Sequence, residues 1–315
     1  MTHPMIAQLM GDIPVLPLEE IAGHPKLPLA RRIFIREFLK IYGADPHLAR
    51  LLIESGRYMV FTFAIVAHAA QDPARPETWA TVSRLKQVIE TFGPSSERQI
   101  DILLSRLRDL GFLELVRSDY DGRVRIVRPT ERAMAHDRDW LVAHYAPLAA
   151  LYPERDYSLV MSRDAAFQVR QRRRSMEFVP LVASALMPPP EVMIFFSRPG
   201  GYMFLVALLE AAMESADGTH ATVSFADVGE RFGYSRTHVR QVLMDAEAAG
   251  LVRLRGRGGH DVEILPALWS GHDRGIAIGM CLHDMVYARA VADWPRHLQQ
   301  AGAAYTASPA KVAVT

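Results

Sequence analysis

Residues 235–241 read Ser-Arg-Thr-His-Val-Arg-Gln, and residues 255–259 read Arg-Gly-Arg-Gly-Gly. The first run sets two guanidinium groups, two hydroxyls, an imidazole and an amide at the head of an apolar pattern with helical period. The second sets two arginines among glycines, which let a backbone approach a partner closely. A helix N-terminus attracts phosphate through its free N–H groups, and Arg and Gln can pair with guanine and adenine edges. Solvated surface on a scaffold helix is the other reading of the same residues. The chemistry on offer is recognition of a polyanion by a helix end and a hairpin tip.

The elements that must hold those residues occur twice. Residues 96–116, SERQIDILLSRLRDLGFLELV, align at a constant offset with 235–255, SRTHVRQVLMDAEAAGLVRLR. Ser96 meets Ser235, Ile100 meets Val239, Leu103 and Leu104 meet Val242 and Leu243, and Leu107 meets Ala246. Gly111 meets Gly250, and the apolar residues that follow each glycine match in turn. In each copy the apolar positions follow the helical period. A serine can cap the first turn, and the glycine can end the helix in a left-handed conformation. The period then changes to two on either side of a turn, which reads as a hairpin. A shorter amphipathic helix precedes each copy, TVSRLKQVIETFG (81–93) and FADVGERFG (225–233).

With the apolar set turned inward, the second copy presents Arg236, Thr237, His238, Arg240 and Gln241, with Arg255 and Arg257 on its hairpin. The first presents Ser95, Arg98, Gln99, Ile102, Ser105 and Arg106, with Arg117, Arg123 and Arg125 on its hairpin. Glu97, Asp101, Asp119 and Asp121 dilute that positive charge and would repel phosphate. An exposed Ile102 suits either a thymine methyl or a protein surface. The second copy is therefore the stronger candidate for nucleic-acid contact.

Residues 225–260 resemble the winged helix-turn-helix of GntR-type bacterial regulators in the SRTHVRQVL opening, the glycine after it and the Gly-rich hairpin. Residues 81–137 are similar to a MarR-type winged helix in RDLGFLEL, the hairpin, and RPTERAMAHDRDWL entering a long exit helix. The resemblance implies a mainly α fold with small β-hairpin wings (α+β), in which two winged helix-turn-helix modules are joined and flanked by long helices. It implies a transcriptional regulator with double-stranded DNA as partner, two modules reading two half-sites, and a small-molecule effector left open. A plasmid replication initiator is a close rival, since it too resembles two winged helices in one chain. A winged-helix protein adaptor that binds no DNA is the rival from another class.

The expected division is an N-terminal helical region at 1–75, a first module with exit helix at 76–152 and a Pro-rich connector at 153–198. A second module with exit helix at 199–295 and a tail at 296–315 complete it. Long helices are expected at 47–71, 130–152, 201–215 and 275–294, where they would hold the spacing of the modules or form a homodimer.

Composition sets the remaining bounds. The chain has 315 residues and a formal net charge of +1, so any nucleic-acid surface must be local. Only Lys26, Lys40, Lys86 and Lys311 are lysines; the arginine bias suits phosphate and guanine recognition, and a GC-rich genome would give it too. The single cysteine, Cys281, excludes an internal disulfide framework and fits a reducing cytoplasm. The start of the chain has no signal-peptide pattern, and neither of the apolar runs is an uninterrupted membrane span, so a cytoplasmic protein off the membrane is expected. RQRRR at 170–174 reads as a solvated face, and Cys281 with His283 as core rather than a metal site. No nucleophile elbow, phosphate loop or zinc-ligand spacing appears, so neither catalysis nor a cofactor is expected.

Overall fold

The computed structural model describes residues 4–43, 46–53, 55–90, 96–118, 121–255, 260–292 and 294. Short helices α1 (Pro4–Met10) and α2 (Leu18–Ala22) lead into α3 (Leu27–Tyr42), α4 (Pro46–Leu52) and α5 (Ser55–Ala70). The first repeat follows as α6 (Val82–Glu90), α7 (Glu97–Asp109), β1 (Leu113–Arg117) and β2 (Arg125–Pro129), and α8 (Glu131–Leu151) leaves it. The connector holds α9 (Ser158–Met161), α10 (Ala165–Ser175), α11 (Val179–Ala185) and α12 (Pro190–Phe196). The second repeat is α13 (Gly201–Glu214), β3 (His220–Thr222), α14 (Phe225–Phe232), α15 (Arg236–Ala248), β4 (Val252–Arg255) and β5 (Asp261–Ile264), closed by α16 (Pro266–Ala292). The protein is mainly helical, with two small antiparallel sheets.

The repeat pattern has a direct physical cause. Ile100, Leu103, Leu104 and Leu107 of α7 are buried, as are Val239, Val242, Leu243 and Ala246 of α15. Ser96 and Ser235 cap these helices through backbone N–H groups of Gln99 and His238. Gly111 and Gly250 follow with φ of +73° and +72°, a conformation that strains any residue with a Cβ. β1 and β2 then pair from Leu113↔Pro129 to Arg117↔Arg125. β4 pairs with β5, and β5 also takes β3 at its other edge. That third strand carries no sequence signal beyond three residues. In the first repeat a single bridge, Thr81↔Ile126, stands in the equivalent place.

Two helices depart from the expected bounds. The stretch at 47–71 is two helices rather than one, so that α4 packs on α14 of the second repeat while α5 packs on α6 and α7 of the first. α16 begins at Pro266, not 275; Leu268, Gly271 and His272 of its first turns are buried. The tail at 296–315 lies outside the described residues.

One apolar core runs through both repeats and the connector. α3 lies along α8, α5 along α10, and α16 packs on α8, α10 and α12. RQRRR does not form a solvated face. Its Gln171 and Arg172 are buried, and Arg172 makes a two-point ion pair with Asp137, Nη2 to Oδ1 at 2.5 Å and Nε to Oδ2 at 2.9 Å. Gln168 donates to the same carboxylate at 2.7 Å. A buried charge survives only with such partners, so this run is structural cement between α8 and α10. Cys281 is buried in the core with its thiol pushed up to about 11 by burial. Among the described residues no single helix is long and apolar enough to cross a membrane.

Candidate functional site

α15 stands on α14 with its apolar set inward and its first turn outward. Arg236, Thr237, Arg240 and Gln241 are exposed there, and Arg236 and Arg240 have no ion pair among the described residues. His238 is different. Its Nε2 lies 2.7 Å from the Pro199 carbonyl, and its ring stacks on Tyr234 at 5.3 Å and meets Phe204 edge-on. That imidazole fastens α15 to the turn before α13 and commits its Nε2 there. Gln241 Nε2 donates to Asp245 Oδ1, one turn along the same helix, at 3.0 Å.

The hairpin beside α15 carries its charge as a cluster. Arg253 and Arg255 lie two apart on β4, so they share a face, and Arg253 sits opposite Glu263 of β5. Glu263 Oε2 accepts from both, at 2.9 Å from Arg253 Nη1 and 2.5 Å from Arg255 Nη2. The hydrogen bond from Arg255 holds the Glu263 carboxyl below its usual range. Arg255 is thus tethered along the strand, and Arg257 lies outside the described residues. Two basic residues that motif and spacing did not single out join this surface. Arg253 is signalled only by its alternation with Arg255. Arg198, half-exposed and 2.5 Å from Asp245, comes from the α12–α13 turn and has no local signal.

The first repeat distributes its charge the other way. Arg98 and Arg106 are exposed on α7, and the acidic residues beside them are met from α6: Lys86 Nζ binds Asp101 at 2.8 Å and Glu97 at 3.2 Å. Gln99 closes a capping box, its Oε1 accepting from Ser96 N at 2.8 Å, so its amide is partly committed to the helix end. Ser95 lies outside the described residues, as does Asp119. Ile102 is exposed. On the hairpin Arg117, Arg123 and Arg125 are all exposed, and none has a carboxylate partner among the described residues. Asp121 instead accepts from the backbone N–H of Arg123 at 2.9 Å and shapes the turn.

The two repeats are mechanically joined. Arg50 of α4 lies over the Tyr234 ring at 5.2 Å, at the turn that separates α14 from α15, and its carbonyl accepts from Arg57 of α5. Both exposed helices therefore stand on one continuous framework. Among the described residues, no group of His, Cys, Asp and Glu side chains could hold a metal ion. Comparison with protein-family models, with curated proteins and with solved structures finds no match for this chain.

Proposed function

We propose that this protein binds double-stranded DNA as a tandem winged helix-turn-helix regulator of transcription. α7 and α15 would each enter a major groove, with β1–β2 and β4–β5 as wings against the adjoining backbone. The observation that carries the reading is the repeated order of helix, turn, helix and hairpin, with unpaired arginines on each outward helix face. A fixed separation between two such modules suits two half-sites of one operator, read by a single subunit.

The distribution of charge divides the labour. Arg236 and Arg240 of α15 are free to reach base edges or phosphates, whereas the wing beside them is partly neutralised by Glu263. On the first repeat the helix face is partly neutralised, and Arg117, Arg123 and Arg125 of its wing remain uncompensated. The second module then supplies more of the sequence reading and the first more of the backbone grip. Selection of bound duplexes from a random pool, followed by titration at several salt concentrations, tests this. A protein with about 6–10 phosphate contacts loses roughly 10³–10⁵ in affinity between 50 and 200 mM salt.

A protein adaptor is the second reading, favoured by exposed apolar residues on the same two helices, Ile102 at 46% and Met244 at 42%. Failure to enrich any duplex would remove the DNA reading and leave this one.

A further inference from the structure

A cavity of about 380 Å³ opens inside the helical framework, walled by α3, α5, α8, α10, α11, α12, α13 and α16. Its size falls in the range of small-molecule sites, and its walls are overwhelmingly apolar, Phe34, Met59, Val66, Val182 and Ile276 among them. Nothing in the DNA reading requires a hole there. A close-packed core would ordinarily fill it.

The wall also carries Gln171, Ser175, Thr62, Tyr58 and His272, but its most distinctive polar feature is a histidine pair. His144 of α8 and His283 of α16 both line it, stacked with ring centroids 4.4 Å apart. Each ring has its Nδ1 against a backbone carbonyl one helical turn back: Trp140 O at 2.9 Å for His144 and Gly279 O at 2.7 Å for His283. A carbonyl only accepts, so each Nδ1 carries the proton and donates. Each Nε2 is then a bare lone pair, and neither has a partner among the described residues. Burial pushes the His144 ring down to about 4 and the His283 ring well below its usual value, so both are neutral at pH 7. The Tyr202 hydroxyl, on the same wall, also has no hydrogen-bond partner among the described residues. His144 and His283 thus present adjacent acceptors to a largely apolar chamber.

We propose that this cavity binds a neutral, largely apolar aromatic molecule whose hydroxyl or ring N–H donates to Nε2 of His144 or of His283. A cation is disfavoured because the apolar wall would strip its hydration and, among the described residues, offers no carboxylate to pair with it. A carboxylate is disfavoured because two lone pairs would face its oxygens. Among the described residues the one guanidinium on the wall, that of Arg172, is already held by Asp137. A phenol matches: its ring fills apolar space and its single donor meets one of the two acceptors.

The test uses the full chain and two probes, 1-naphthol and 1-methoxynaphthalene, which share a ring system and differ in the donor. Calorimetry should show 1-naphthol binding with one site per chain, about threefold to tenfold tighter than the methyl ether, as one hydrogen bond warrants. His144→Phe and His283→Phe keep the aromatic stack and remove an acceptor; the variant that removes the accepting ring should lose that preference, and both should leave the ether's affinity nearly unchanged. Val182→Trp, at a half-buried wall position, should abolish binding of both probes and locates the site even if a histidine variant fails to fold. Equal affinity for the two probes, no binding of either, or binding that survives Val182→Trp would each overturn the proposal.

Discussion

Arg117 and Arg125 stand directly opposite each other across the β1–β2 ladder, both exposed, and neither has a carboxylate partner among the described residues. Directly paired residues share a face, and like charges there are destabilising by roughly 0.2–1 kcal/mol. Further along the ladder Glu114↔Arg128 shows the ordinary arrangement, with opposite charges 3.6 Å apart. A hairpin end that concentrates repulsion is poised to accept an anion. Arg125→Glu should therefore raise thermal stability slightly while weakening duplex binding and flattening its salt dependence. Loss of stability together with unchanged binding would show that the pair serves the fold.

The second hairpin makes the complementary prediction. Glu263 draws Arg253 and Arg255 onto itself at 2.9 Å and 2.5 Å. Glu263→Gln keeps a hydrogen-bond acceptor and removes the negative charge, freeing both guanidinium groups. Affinity for a selected duplex should rise, and the log–log salt slope should steepen by about one unit for each additional phosphate that is neutralised. Thermal stability should stay within about 0.5 kcal/mol, because the ion pairs are solvent-exposed. Tighter salt-dependent binding in the wild type than in Glu263→Gln would mean that β4 faces away from the duplex.

Arg240 and Arg106 separate the two helices. Both are exposed and stand outside the buried apolar sets of α15 and α7. Arg240→Ala should weaken binding by about 1–3 kcal/mol if it reads a base, and relax preference at one position of the site. Arg106→Ala should cost less, since α7 also carries Asp101 and Glu97. Circular dichroism should be unchanged for both. A larger loss from Arg106→Ala with the fold intact would reverse the assignment of base reading to α15.

What the amino-acid order made legible was whatever depends on local chemistry. The inward sets of α7 and α15, their serine caps and the left-handed glycines 111 and 250 follow from spacing and residue type alone. What it hid depends on distant partners. Arg172 looks solvated within RQRRR until Asp137, from another helix, is beside it. His238 looks like a reader until the Pro199 carbonyl takes its Nε2. β3 is three residues long and exists because β5 offers it an edge. The acceptor pair His144 and His283 joins positions on α8 and α16 that no local pattern connects.

Burial of neutral histidines makes an acid-sensitivity prediction with a definite sign. His144 is pushed down to about 4 and His272 to about 3, in both cases chiefly by burial, while an unfolded histidine titrates near 6.5. Between those values the unfolded chain binds protons that the folded chain does not, so stability rises with pH through that window. The contribution is complete above about pH 6.5 and is lost as pH falls toward 4 and 3. The rings contribute on the order of 3 to 5 kcal/mol each when the whole window has been crossed. Urea midpoints should be flat from pH 8 to 7 and fall between about pH 6.5 and 5, above the range in which ordinary carboxylates take up protons. His272 offers the control, because it is 2% exposed and neither ring nitrogen has a hydrogen-bond partner. His272→Leu removes two unsatisfied buried polar atoms, so it should raise stability at pH 7 by about 1–3 kcal/mol. It should also reduce the slope between pH 6.5 and 5. A midpoint independent of pH across that interval in the wild type, or an unchanged slope in His272→Leu, would place the acid sensitivity elsewhere.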